Sequence, residues 1–316
     1  MVERAVGHPR HTSQAKVLRQ NPDEEPLYVE VDGQRLRITH PSKVMFPDEG
    51  ITKAEILQYY LTIAPVLMPH VHDRPVIIHA FPMGVKERPY HRRWISGQAP
   101  RWLSRVHVDE EDDDAPVIRT VADLMWVVNG DSIELHPWQS RAAHLREPDL
   151  VVFDLDPGQG TPFERTREAA LVIKEVLEEL GLASQAKTTG GKGIHVGVGI
   201  APEQDHETVR QWVLKVATII REHRGDLFTT DYAHHRRVGK VLLDYNQNGF
   251  GRSTAGIYSV RPMPGATVSA PVTWEEVASG ELSPEQFTIH TVPERVERLG
   301  DVAKDVPGAK QKLPAL

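Results

Sequence analysis

The chain contains no cysteine, which excludes disulfide staples and thiolate metal sites. Any metal it binds must sit on oxygen or imidazole donors. No apolar run approaches the roughly 20 residues of a membrane-spanning helix. The opening residues, MVERAVGHPR, lack the apolar stretch of a signal peptide, so a cytoplasmic protein with no membrane partner is expected. Positive charge is in deficit: 37 Lys and Arg against 44 Asp and Glu give −7. That balance argues against a general coat for polyanions and leaves room for a local basic groove.

The charge is unevenly placed. Lys86, Arg88, Arg92, Arg93, Arg101 and Arg105 fall close together, interleaved with Tyr90, Trp94 and Trp102. The run 109–114 follows and is wholly acidic, which reads as a solvated loop. Residues 1–26 are polar, basic and without periodicity, and read as a flexible arm before the main domain, spanning 27–316.

Residues 27–38 alternate apolar and polar about Asp32-Gly33, a hairpin signal. Residues 52–67 read as a helix capped by Thr52 and Glu55. Residues 74–81 read as a short strand, and 118–128 are apolar without a break. Residues 150–156 form an apolar strand that Pro157-Gly158 ends. A helix is expected next, with Thr161 as cap, Pro162 at its first position, Glu164 completing a capping box, and Gly181 past its end. Residues 187–199 read as strand, glycine-rich turn and strand, and 207–223 as an amphipathic helix. Residues 238–245 and 258–261 read as further strands. Strands and helices mix without strict alternation, so the expected class is α+β with antiparallel or mixed sheets.

Asp154 and Asp156 are the strongest chemical feature. Residues two apart on a strand share a face. Two carboxylates beside three apolar residues are costly unless something neutralises them, and a divalent cation does so. Asp244 repeats the pattern at the end of Val241-Leu-Leu-Asp244. Three such carboxylates suit a pair of metal ions around a transferring phosphoryl group. The cluster Thr188-Thr189-Gly-Gly-Lys192-Gly-Ile-His195 combines hydroxyl, backbone, cationic and imidazole groups that suit phosphate oxygens, without the spacing of a Walker A loop. Arg236, Arg237 and Lys240 precede Asp244, and Arg252 and Arg261 follow it. Taken alone, His136 reads as a core histidine.

Together, Phe153-Asp-Leu-Asp-Pro-Gly158, Thr189-Gly-Gly-Lys-Gly-Ile-His195 and Leu243-Asp-Tyr-Asn-Gln-Asn248 resemble, in order and spacing, the motifs of the polymerase domain of bacterial DNA ligase D, in the archaeo-eukaryotic primase superfamily. Flanking stretches agree: Ser42-Lys-Val-Met-Phe-Pro47, Glu134-Leu-His136 and Tyr258-Ser-Val-Arg-Pro262. The resemblance implies a primase-polymerase core of mixed sheets flanked by helices, and two divalent ions, Mn²⁺ or Mg²⁺. It implies addition of ribonucleotides, or deoxyribonucleotides, to 3′-hydroxyl ends at short gaps or breaks during DNA repair, at the nucleoid. Asp154, Asp156 and Asp244 then look like metal ligands. His136, Thr189, Lys192, His195, Arg237 and Arg261 look like nucleotide contacts. Lys43 resembles an anchor for the 5′-phosphate of the downstream strand, and Tyr90, His91, Arg92 and Arg93 look like DNA contacts. Gapped or broken DNA, nucleoside triphosphates, Ku and a DNA ligase are the implied partners.

The chain departs from the family in places. Thr189 stands where the family often has serine. His79-Ala-Phe-Pro82 replaces a stretch that often carries Lys-Arg, and Tyr90-His91 replace two stacking aromatics. The acidic run 109–114 falls where a loop that bridges broken ends is expected, so weak bridging follows. No Lys-x-Asp-Gly signature is present, so a polymerase domain without a ligase domain is expected. Two rival readings remain: a non-catalytic module for gapped DNA or DNA ends, and a haloacid-dehalogenase-type phosphatase built on Asp154 and Asp156. The phosphatase needs Gly-Thr directly after the second aspartate, where Pro157-Gly158 stands.

Overall fold

The computed structural model describes residues 16–18, 27–97 and 99–316. Lys16–Leu18 (β1) pairs antiparallel with Leu27–Val31 (β2), which turns into Gln34–Ile38 (β3). Asp32 and Gly33 take φ of 49° and 73°, the left-handed backbone a two-residue hairpin turn requires. Apart from β1, the expected arm over residues 1–26 lies outside the described residues. Val44–Phe46 (β4) and Ile51–Thr52 (β5) form a short ladder leading into Lys53–Val71 (α1). Thr52 and Glu55 make both bonds of the capping box, as the sequence indicated.

Arg74–Ala80 (β6), Tyr90–Arg92 (β7), Arg105–Val108 (β8) and Asp113–Ile118 (β9) follow. The apolar stretch 118–128 becomes the end of β9 and the helix Val121–Asn129 (α2), capped by Thr120 and Asp123. Ser132–Pro137 (β10) completes an antiparallel sheet of order β10-β6-β9-β8, with β7 paired on β6. The acidic run is the β8–β9 hairpin rather than a free loop, because Asp113 and Asp114 belong to β9. Its charge is partly matched: His107 lies 3.2–3.8 Å from Asp109, Asp112 and Asp114, and Arg146 pairs with Glu110.

The rest of the chain builds a mixed sheet. Its elements are Leu150–Pro157 (β11), Phe163–Glu179 (α3), Gln185–Thr188 (β12), Ile194–Gly199 (β13), His206–His223 (α4), Phe228–Thr229 (β14), Val241–Asp244 (β15) and Pro271–Val272 (β16). Trp274–Ala278 (α5) and Thr291–Leu299 (α6) close the order. The strands run β14-β15-β11-β13-β12-β16, all antiparallel except the β14–β15 pair. The class is therefore α+β, as read from the sequence. Val151, Phe153 and Leu155 are buried with the core residues of α3 and α4, and Phe153 meets Trp212 edge-on. Alternation turns Val152, Asp154 and Asp156 to the opposite face.

Two local expectations are corrected. The cap of α3 is Pro162, with no side-chain bond, because the Thr161 hydroxyl donates to the Lys240 carbonyl instead. Residues 258–261 are not a strand: Tyr258 takes φ of 60°, which breaks the extended path, and a single bridge joins Val260 to Val268.

Asn248 keeps the ladder of β11 complete where β15 stops. Its Oδ1 accepts from the Val152 N–H at 2.9 Å, and its Nδ2 donates to the Val152 carbonyl at 2.8 Å. One side chain thus satisfies both backbone groups of a residue two before Asp154. Asn248→Ala would leave two buried backbone groups unpaired and should lower unfolding free energy by about 2–4 kcal/mol, read by urea denaturation. A loss under about 0.5 kcal/mol would show that water replaces the amide.

Candidate active site

Strand register assembles the site. Asp154 lies directly opposite Asp244 on β15 and opposite His195 on β13, and His195 lies opposite Lys187 on β12. Opposed residues in a sheet share a face. Four adjacent strands therefore present Asp244, Asp154, His195 and Lys187 as one row, with Asp156 beside it.

Asp154 is buried, and its Oδ1 has no hydrogen-bond partner; His195 Nε2 stands 3.2 Å away. Burial, then the charge of Asp244, pushes the Asp154 carboxyl up to about 7. Burial, then the charge of Asp154, pushes Asp156 up to about 6. Crowded hard oxygen donors, one of them unpartnered, fit a divalent cation, which would favour their ionised forms. Asp244 is better satisfied. Its Oδ1 accepts from the Tyr232 hydroxyl at 2.6 Å and the Asn246 N–H at 3.0 Å, and its Oδ2 from Gln247 at 2.8 Å.

The glycine-rich cluster is the β12–β13 turn. Thr189 Oγ1 accepts from the Gly191 and Gly193 N–H groups and donates to the Gly193 carbonyl, so this hydroxyl is spent on shaping the turn. Gly190 has φ of 71°, and a Cβ there would come within 2.7 Å of the Arg261 Cγ. Arg261 lies against the turn, donating to the Thr189 carbonyl at 2.8 Å and to Glu134 Oε1 at 2.6 Å. Arg237 has a buried Nε without a partner. It adds positive charge at Asp154 and Asp156.

Glu134 joins the two sheets. Burial disfavours its charge, but contacts with His136 and His79 and the Arg261 guanidinium outweigh it and hold the carboxyl far below the usual range. His136 is pushed down to about 4 by burial, so its imidazole is neutral. The structure thus brings Asp154, Asp156, Asp244, His195, Thr189, Arg237, Arg261 and His136 into one connected region. Lys192 is exposed on the turn. Lys240 reaches away to the Gly225 carbonyl.

The residues expected at DNA sit in the first half of the chain. Tyr90, His91 and Arg93 are exposed, and His91 stacks on His79 at 4.1 Å. Arg92 instead lies 5.6 Å over the Trp126 ring with its Nε buried, so packing holds it. Lys43 is no lone exposed lysine: it is 2.9 Å from Asp131, which also lies 3.1 Å from the buried Lys53.

Sequence reasoning missed Lys187, Glu134, His79, Tyr232 and Lys53. Glu134 and His136 carry the two-residue spacing that betrays a shared strand face. Lys187 becomes visible only when the turn length fixes the β12–β13 register. Burial, then Arg261, pushes its amine down to about 7.

A mixed sheet that presents paired carboxylates on one face, flanked by arginines and a glycine-rich turn, offers donors that suit divalent cations and phosphate oxygens. A family model, described as the LigD primase-polymerase domain, matches residues 52–303, and the chain belongs to that family. It is 34% identical over 273 residues to the "Multifunctional non-homologous end joining protein LigD" of Mycolicibacterium smegmatis, covering 85% of this chain and 36% of that protein. It is 30% identical over 268 residues to the "Bifunctional non-homologous end joining protein LigD" of Bacillus subtilis, covering 84% of this chain and 43% of the relative. The chain thus spans well under half the length of these relatives. Among solved structures, the "Polymerase Domain from Mycobacterium tuberculosis Ligase D in complex with DNA" superposes with a TM-score of 0.82. It is 28% identical and covers 88% of this chain and 100% of that one.

The raised carboxyls have a consequence for stability. Asp154 holds its proton more tightly when folded than at its ordinary 3.8, so the folded state binds more protons between 3.8 and about 7. In chelator-treated protein, stability should therefore fall as pH rises through that window. Asp154→Asn, which cannot ionise, should flatten the profile and raise stability at pH 8 by at least about 1 kcal/mol. Denaturation at pH 5 and pH 8 in chelator measures both effects; parallel profiles for the two proteins would refute the electrostatic reading.

Proposed function

We propose that this chain adds nucleotides, ribonucleotides by preference, to a 3′-hydroxyl at a short gap or break in DNA, with Asp154, Asp156 and Asp244 holding two divalent ions. The observation that carries this reading is the cross-strand opposition of Asp154 and Asp244, with Asp156 on the same face. When bound, the ions would ease ionisation of the 3′-hydroxyl and neutralise the departing pyrophosphate. Arg237 and Arg261 supply fixed positive charge for the triphosphate, and Lys192 adds a mobile one. His195, buried and held below its usual range first by burial and then by Lys187, stays neutral and can donate one hydrogen bond to a phosphate oxygen. His136 and Thr189 hold Arg261 and the turn in place, through Glu134 and the Thr189 carbonyl.

On the DNA side, Tyr90 and His91 offer exposed rings for unpaired bases, and Arg93 offers a backbone contact. Lys43 and Lys53, already converged on one carboxylate, can take a terminal phosphate in place of Asp131. The relatives' names include non-homologous end joining, and we extend that role to this chain as gap filling during repair at the nucleoid, beside Ku and a ligase. No helix among the described residues is long and apolar enough to cross a membrane. The phosphatase reading gives way to the family assignment.

The deciding experiment is incorporation of labelled ribo- and deoxynucleotides on a gapped duplex with Mg²⁺ and Mn²⁺ compared. Wild type should extend the primer with ribonucleotides favoured, and Asp154→Ala or Asp156→Ala should reduce extension at least about a hundredfold while DNA binding persists. DNA binding without extension in wild type would instead support a non-catalytic module.

The phosphate anchor is tested separately. A gap with a 5′-phosphate should bind more tightly than the same gap with a 5′-hydroxyl by about 1–2 kcal/mol, less at high salt. Lys43→Ala should remove most of that difference and spare simple primer extension. Equal binding of the two gaps by wild type would reduce Lys43 to a partner of Asp131.

A further inference from the structure

We propose that His79, Glu134 and His136 form a binding site for one transition-metal ion of the zinc or cobalt kind, built from different side chains than the aspartate site. The inference does not depend on the polymerase reading.

Strand geometry supplies the donors. Glu134 and His136 are two residues apart on β10, and His79 lies directly opposite Glu134 on β6. All three therefore point from one face of the β6–β10 pair. His79 Nδ1 is 3.1 Å and His136 Nε2 is 3.8 Å from the same oxygen, Glu134 Oε2. One donor atom from each residue fits within a mutual spacing of 4.8 Å. Their side chains are 16%, 6% and 13% exposed for His79, Glu134 and His136.

Two features point to a ligand rather than to a closed hydrogen-bond network. The His136 Nε2 is buried and has no hydrogen-bond partner, an arrangement that native proteins rarely leave unused. Glu134 is also fixed from behind. Its Oε1 is held by Arg261 at 2.6 Å, and Arg261 is held by the Thr189 carbonyl, so Oε2 stays aimed at the two imidazoles. Such outer contacts orient metal ligands.

Bonds of about 2.0–2.2 Å place tetrahedral donors about 3.3 Å apart. The two imidazole-to-carboxylate spacings are within about half an ångström of that value. The His79 and His136 rings, stacked at 3.9 Å and 17°, must turn about χ2 to converge on one ion. His91, stacked outside His79 and exposed, can follow that turn. Two imidazoles and one carboxylate suit late first-row ions over Mg²⁺ or Ca²⁺, and three protein ligands leave a position for water or an oxyanion.

The test separates this site from the aspartates. In the Asp154→Asn, Asp244→Asn double variant, Co²⁺ titration should give one intense visible ligand-field band per chain, bleached by one equivalent of Zn²⁺. His79→Lys places an ammonium opposite Glu134 that cannot ligate while charged; it and His136→Gln should each weaken Co²⁺ binding at least tenfold. In unmutated protein, Zn²⁺ but not Mg²⁺ should shift the assigned ring signals of His79 and His136 in a nuclear magnetic resonance titration, a readout that needs no variant to fold. Absence of the band, equal affinity in the histidine variants, or unmoved ring signals would each overturn the site.

Discussion

The opposition of Asp154 and Asp244 across β11 and β15 is the constraint on which the arrangement of the candidate site depends. Two carboxylates facing each other on a buried sheet face repel, and burial raises the cost. The structure distributes that cost unequally. Asp244 is compensated by Tyr232, Asn246 and Gln247, whereas Asp154 keeps an unpartnered oxygen and a strongly raised pKa. The strand that bears the cost is correspondingly well secured. Phe153 and Leu155 anchor its other face in the core, β13 and β15 flank it, and Asn248 completes its ladder.

Much of this was legible in the sequence because the signals are local. The β2–β3 hairpin rests on Asp32-Gly33, and α1 on the Thr52–Glu55 box, both short-range patterns with one physical solution. Asp154 and Asp156 announced a shared face through their spacing alone. The errors came where a distant group intervened. Thr161 was read as a cap, but Lys240, far along the chain, offers a carbonyl to its hydroxyl. Residues 258–261 looked extended, but Tyr258 takes a left-handed conformation while its hydroxyl bonds Asp301. Asp244 could be seen as an acid ending an apolar strand, yet only the register places it opposite Asp154.

Glu134 shows the same limit more sharply. In the sequence it is one acid in the flanking stretch Glu134-Leu-His136. In the fold it ties the antiparallel sheet, through His79 and His136, to Arg261 and the glycine-rich turn of the mixed sheet. The exposed rings of Tyr90 and His91 and the carboxylates of β11 belong to separate sheets. The link between them runs from His91, stacked on His79, through the polar contacts of His79 with Glu134, of Glu134 with Arg261, and of Arg261 with the Thr189 carbonyl.

That link bears on how positive and negative charge stand side by side at the candidate site. Arg261 lends positive charge to Asp154 without a hydrogen bond to it, since its guanidinium is bonded to Glu134 and to the Thr189 carbonyl. Glu134 takes up one edge of the guanidinium and fixes its position against the turn. Asp154 Oδ1, with His195 Nε2 at 3.2 Å beside it, is left without a hydrogen bond. A carboxylate on one sheet thus holds an arginine that acts on a carboxylate of the other through its charge rather than by direct pairing.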